Sequence, residues 1–205
     1  MKSNIDWPSF ISQHDLHFKG LPSGWEEAPH FGNAMIGSLL YFKNGLLQLE
    51  VFRADVRDHR DESYGWTAYR APRFRIGHFS LNTKGKALEC HWKKSLWNAE
   101  LTGTVTTEAG TIDIRHLSHS EDMVIFTELN GHGEEDNLTW SWHPHEAKTT
   151  RPGYPNTSEE KEKFSKKFGQ HYKESLQPWT DNPPGELIKN DDLQIWKQDL
   201  LIGGQ

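Results

Sequence analysis

The stretch Arg53-Ala54-Asp55-Val56-Arg57-Asp58-His59-Arg60-Asp61 sets guanidinium, carboxylate and imidazole groups side by side with almost no apolar interruption. Such a segment either neutralises itself as a salt-bridged loop or presents charged hydrogen-bonding groups to a polar ligand or a neighbouring domain. Arg53, Asp55, Asp58 and Arg60 are the contact candidates. A second set is aromatic: Trp66, Tyr69, Trp97, Tyr154 and Trp179 fall among turn formers. Rings so placed close the ends of a β core, or offer flat apolar faces on which a sugar ring stacks. Trp66 and Trp97 are the stacking candidates.

The chain holds 12 His, with His143-Pro144-His145 and the pair His116 and His119 the closest to a ligand spacing. Zinc requires three or four converging ligands, commonly with Cys or carboxylate among them. Pro144 ends the strand that would aim both imidazoles to one side, so scattered core and surface histidines are the better reading and no metal is assigned. Cys90 is the sole cysteine and reads as a small buried hydrophobe, with no intrachain disulfide available. Gly131-His132-Gly133 lacks the strand-to-helix setting of a phosphate loop, and no Gly-x-Ser-x-Gly element marks a nucleophilic serine. No cofactor is expected.

These side chains need a scaffold, and composition bounds it. The 205 residues suffice for one large all-β domain. With 34% hydrophobic residues but 9 Trp, 10 Phe and 5 Tyr, aromatics carry much of the core. A net charge of -6 offers no basic field for a phosphate backbone, which disfavours nucleic acid as a partner. No run approaches the roughly 20 apolar residues of a helical membrane span, and Met1 to Pro8 lack the apolar centre of a signal peptide.

Residues 1–33 show neither helical nor strand periodicity and read as an entry segment; residues 34–205 read as the folded domain. Met35 to Phe42 and Leu46 to Phe52 are β-prone runs joined by Lys43-Asn44-Gly45, a turn whose Asn-Gly supplies the positive φ angles of a tight hairpin. Phe74 to Leu81 and Ala87 to Trp92 form a second expected hairpin across 82–86, with Leu88, Cys90 and Trp92 facing inward. Glu100 to Thr107 and Thr111 to Leu117 form a third. Met123 to Leu129, a loop over 130–137, and Leu138 to His143 follow, with Trp140 and Trp142 on one core-facing side. Gly37, inside a strand, predicts close approach of another segment. The pattern argues an all-β, antiparallel β-sandwich of supersandwich type. One helical excursion near 157–176 is expected from Ser158, then Glu160 and Glu162, then Phe164, Phe168 and Tyr172 at four-residue spacing. Leu193 to Ile202 reads as a strand still apolar where the sequence stops, the pattern of a chain truncated before a further domain.

Trp25, Ala28 and Pro29, then Gly32-Asn33, Ile36, Gly37 and Tyr41, then Leu49 and the Arg53, Asp55, Asp58 and Arg60 loop, resemble the N-terminal β-sandwich of glycoside hydrolases related to family 95, the fucosidase and galactosidase type, and of their gut-bacterial relatives. Ala34 departs from the pattern, standing where the family more usually has a second glycine. The resemblance spans most of the chain, and Leu200 to Gln205 resemble the strand that leads such proteins toward a linker and an (α/α)6 barrel. It implies a non-catalytic domain that packs on that absent catalytic domain, lends a loop to it, contacts carbohydrate, and is exported; the residues themselves assign no compartment. Glycoside hydrolysis needs two carboxyls roughly 5–10 Å apart. Glu26-Glu27, Asp55 with Asp58, Asp61-Glu62 and Glu134-Glu135-Asp136 are candidates, but neighbouring acids in polar loops read as solvated, so no catalytic residue is assigned. The alternatives are a stand-alone carbohydrate-binding module and a structural assembly domain.

Overall fold

The computed structural model describes residues 5–57, 73–147, 158–159, 162–163, 166, 182–190 and 193–200. The chain divides into two compact units, Met1–Arg53 with Gly77–His143, and Ala54–Ile76 with Pro144–Gln205. The first unit is an all-β sandwich. One five-stranded sheet has the order β1 (Leu16–Gly20), β6 (Ala87–Ser95), β7 (Glu100–Thr107), β8 (Gly110–Ser118), β9 (Ile125–Gly133). The other runs β10 (Thr139–Pro144), β5 (Gly77–Asn82), β4 (Leu46–Arg53), β3 (Ile36–Lys43), β2 (His30–Gly32). A short helix, α1 (Trp7–Ser12), precedes them, with Pro8 in its first turn and the Asp6 carboxylate capping the Ser9 amide.

Residues 16–20 and 30–32, inside the segment read as an entry, are thus sheet members. Strands of five and three residues carry too few positions to show a period, and their pairing with β6 and β3 defines them.

Between the sheets Phe31, Leu40, Phe42, Leu47, Leu49 and Leu81 meet Cys90, Trp92, Leu101, Val105, Ile112 and Ile114. Phe42 stacks on Trp92 at 5.3 Å, and Trp140 and Trp142 pack against Phe79 from β10, as their common strand face predicts. Truncating a wholly enclosed member such as Leu40 to Ala costs about 2–5 kcal/mol.

The β3–β4 hairpin forms as expected, with Asn44 at φ 55 and Gly45 at φ 79. The β7–β8 hairpin also forms. The expected β5–β6 hairpin does not: β5 pairs with β4 while β6 pairs with β1 and β7, so residues 82–86 carry the chain from one sheet to the other. Backbone contacts hold that corner, Ala87 N to Gly45 O at 3.0 Å and Glu108 N to Lys86 O at 3.0 Å. Gly85 sits so close to the Ala109 amide that a Cβ would lie 2.5 Å from it. Leu88 faces solvent at 58% exposure, because the register shifts between Ala87 and Glu89 while Cys90 and Trp92 stay buried. Residues 130–133, expected in a loop, extend β9.

In the second unit, β11 (Glu186–Lys189) pairs antiparallel with β12 (Gln194–Lys197), bringing Leu187 opposite Trp196. The Asn182 side chain donates to Ala147 O (2.9 Å), and Ala147 N to the Gln198 side chain (2.7 Å). Of the expected helix, Ser158, Glu159, Glu162, Lys163 and Lys166 are described and helical; the remainder of 157–176 lies outside the described residues.

Candidate functional site

Of the predicted contact residues, Arg53 is half-buried at the end of β4, across from Ile36. Asp55 is exposed, and its backbone carbonyl accepts the Arg57 amide at 3.0 Å. Asp58, Arg60 and Trp66 lie outside the described residues, as do Tyr69, Tyr154 and Trp179. Trp97 is 48% exposed in the turn between β6 and β7. That turn is held by Ser95 Oγ accepting the Asn98 amide (3.2 Å) and by Asp15, which accepts the Leu96 amide (2.8 Å).

Of the residues carrying the family resemblance, Gly32, Asn33 and Gly37 are structural. Gly32 ends β2 where a Cβ would lie 2.8 Å from Ile36 O, so the chain reverses there without a side chain. Asn33 then uses every polar atom of its side chain. Its Oδ1 accepts the Met35 and Ile36 amides (3.1 and 3.0 Å), and its Nδ2 donates to the carbonyls of His119 (2.9 Å) and Asp122 (3.0 Å). This one amide fastens the β2–β3 turn to the β8–β9 connection. Ala34 holds φ 74, a conformation that glycine adopts at no steric cost. Gly37 lies under the Phe52 ring, as its strand position predicts; a Cβ would be 2.2 Å from it.

Three members of the acidic runs, Glu27, Glu134 and Glu135, are structural. Glu27 accepts the Ser23 amide and hydroxyl, and these bonds hold its carboxyl below the ordinary value. Glu134 pairs with Lys84. Glu135, read as a solvated loop acid, is 1% exposed and accepts the Lys84 amide (2.8 Å), the Gly85 amide (2.9 Å) and the Thr107 hydroxyl (2.6 Å). Burial pushes its carboxyl up, but the Thr107, Gly85 and Lys84 donors outweigh burial and leave it below the usual range. It pins the sheet-changing corner to β7.

The feature that strand-by-strand reading missed is the outward face of the second sheet. Register sets Tyr41, Gln48 and Ser80 in one cross-strand row, and Leu39, Glu50 and His78 in the next. The Tyr41 hydroxyl donates to Glu50 (3.2 Å), while Gln48 and Ser80 are buried although they face away from the core. On the edge strand β10, His143 Nε2 meets Ser80 Oγ at 2.7 Å and its ring stacks on His78 at 4.8 Å. Asn82 Nδ2 donates to Thr139 Oγ1 (3.0 Å) and to Ser141 Oγ (2.9 Å). Ser80 and His143 have the spacing of a nucleophile and its base, but no carboxylate meets His143 among the described residues. The arrangement is a row of hydrogen-bonding side chains along β5 and β10. Its signal in the sequence is the alternation Thr139-x-Ser141-x-His143 against Trp140 and Trp142, which assigns the polar side chains to one face.

The outward face of the first sheet differs, because its charges are matched among themselves. Asp113 pairs with His132 (2.8 Å), and Arg115 with Glu100 (2.8 Å). Among the described residues, no group of three or more His, Cys, Asp or Glu is placed to hold a metal ion. Among the described residues, no helix is long and apolar enough to cross a membrane. No family model, no curated protein and no solved structure matches the chain.

Proposed function

We propose that this chain is the non-catalytic N-terminal β-sandwich of a glycoside hydrolase related to family 95, packing on a helical catalytic barrel and lending it the loop of Arg53, Asp55, Asp58 and Arg60. The observation that supports the reading is the behaviour of Gly32, Asn33 and Gly37. Three of the residues on which the resemblance rests brace the sandwich: Gly32 allows the reversal, Asn33 joins two distant connections and Gly37 accepts an aromatic ring. Three of the candidate carboxylates fit a scaffold too, since Glu27, Glu134 and Glu135 are each engaged in hydrogen bonds or ion pairs of the fold. Incubated with nitrophenyl fucosides and galactosides, the chain is expected to release no nitrophenol. Turnover that disappears on Asp55→Asn or Glu26→Gln overturns the reading.

The exposure of Trp97 favours one further reading, a stand-alone carbohydrate-binding module. Calorimetric titration with neutral oligosaccharides separates the two. Binding that is lost on Trp97→Ala or Trp66→Ala supports a module built on stacked rings, and unaltered binding in both variants sinks that form of it.

A further inference from the structure

We infer that the outward face of β5 and β10 is a binding site for a neutral oligosaccharide, formed by Asn82, Thr139, Ser141 and His143, with the buried Ser80 hydroxyl positioning the His143 ring. The inference rests on the carbohydrate reading above and gives that reading a location distinct from Trp97. Asn82, Thr139 and His143 are exposed, so the row is open to solvent along the edge strand. Thr139 and Ser141 accept the two hydrogens of the Asn82 amide, so each hydroxyl must turn its own proton elsewhere. Each is left as a donor held in a fixed place. His143, whose Nε2 meets the buried Ser80 hydroxyl, extends the row along β10 with an exposed imidazole. From Thr139 to His143 the strand advances about 13 Å, enough for a disaccharide to lie along it.

The chemistry of the row selects the ligand class. Among the described residues the row contains no carboxylate, lysine or arginine, and Glu50 in the adjoining row accepts the Tyr41 hydroxyl, whereas the first sheet's outward face is charged and internally paired. These side chains themselves offer an anionic ligand no lysine or arginine, and an apolar ligand no apolar group beyond the Thr139 methyl. A ligand bearing many hydroxyls, each both donor and acceptor, matches a ladder of alternating hydroxyl, amide and imidazole.

The test is a titration of the chain with lactose, cellobiose and xylobiose, with glucuronate as the charged control, followed by calorimetry and by amide NMR shifts. At least one neutral disaccharide is expected to bind, to shift the amides of residues 80–82 and 139–143, and to bind about tenfold more weakly to Asn82→Ala and to Ser141→Ala. Trp97→Ala is expected to leave that affinity unchanged. Ser141→Ala removes one hydroxyl from a half-buried site and keeps the test decisive if Asn82→Ala does not fold. Binding lost on Trp97→Ala and untouched by both ladder variants overturns this site while leaving the carbohydrate reading standing. Preferred binding of glucuronate, or no binding of any of the sugars, also overturns it, and in the latter case Asn82 serves only to fasten β5 to β10.

Discussion

His116 lies at 0% exposure between the two sheets, and acid is expected to unlock the sandwich through it. Its Nε2 meets Ser38 Oγ on β3 at 2.9 Å, its Nδ1 meets Thr127 Oγ1 on β9 at 2.8 Å, and the Phe31 ring from β2 stands edge-on at 5.1 Å. Lys94 stands 4.7 Å over that same Phe31 ring and donates to His30 O. No carboxylate meets the imidazole among its described partners, so burial alone pushes its pKa down from 6.5 to about 4. The unfolded chain therefore binds the proton more tightly. Stability from this group is whole above pH 6.5 and is lost as pH falls toward 4. The full shift amounts to about 3.4 kcal/mol at 1.36 kcal/mol per unit, of which about 2 kcal/mol falls between pH 7 and pH 5. That is a large share of a typical folding stability of roughly 5–15 kcal/mol. Urea midpoints measured from pH 7.5 to 4.5 are expected to drop steeply in the native chain. In His116→Gln, which keeps a polar partner for Ser38 and does not titrate, the curve is expected to be lower throughout but flatter over the same range. A native curve that stays level from pH 7 to 5, or a slope that persists unchanged in the variant, refutes the reasoning.

Other expectations follow from single residues. Ala34→Gly relieves a left-handed backbone at φ 74 and is expected to raise stability by about 0.5–1 kcal/mol after the added freedom of the unfolded chain is subtracted, read as a higher urea midpoint. Glu135→Ala leaves the Lys84 and Gly85 amides and the Thr107 hydroxyl without their acceptor, and is expected to cost about 3 kcal/mol. Because the Glu135 carboxyl is held below its ordinary range, its contribution is present above the unfolded pKa and fades as pH falls through the folded value; the variant's loss should therefore shrink in strong acid. Cys90 is fully buried and its thiol is pushed up to about 12 by burial, so a thiol-reactive disulfide dye is expected to label it only in denaturant; fast labelling of the folded chain contradicts the packing.

What the amino-acid order determines by itself is what neighbouring residues settle among themselves. Asn44-Gly45 can take positive φ angles cheaply, so the β3–β4 hairpin is legible from four residues. Alternation of Trp140 and Trp142 with Thr139, Ser141 and His143 assigns faces within one strand, and it holds in the structure. Pairing between distant segments is not local, and there the tertiary structure decides. Residues 82–86 have the composition of a hairpin turn, yet they change sheets because Glu135, from far along the chain, binds the Lys84 and Gly85 amides. Leu88 has the period of a core residue until a bulge opposite Thr106 and Thr107 shifts the face it occupies. Asn33 looks like part of a turn, but half of its side-chain hydrogen bonds reach residues 86 and 89 positions away. The outward ladder of Asn82, Thr139 and Ser141 exists only because β10 settles beside β5, joining side chains 57 and 59 residues apart. Period and turn chemistry are properties of a few adjacent residues, whereas the choice of strand partner belongs to the packing of the whole sandwich.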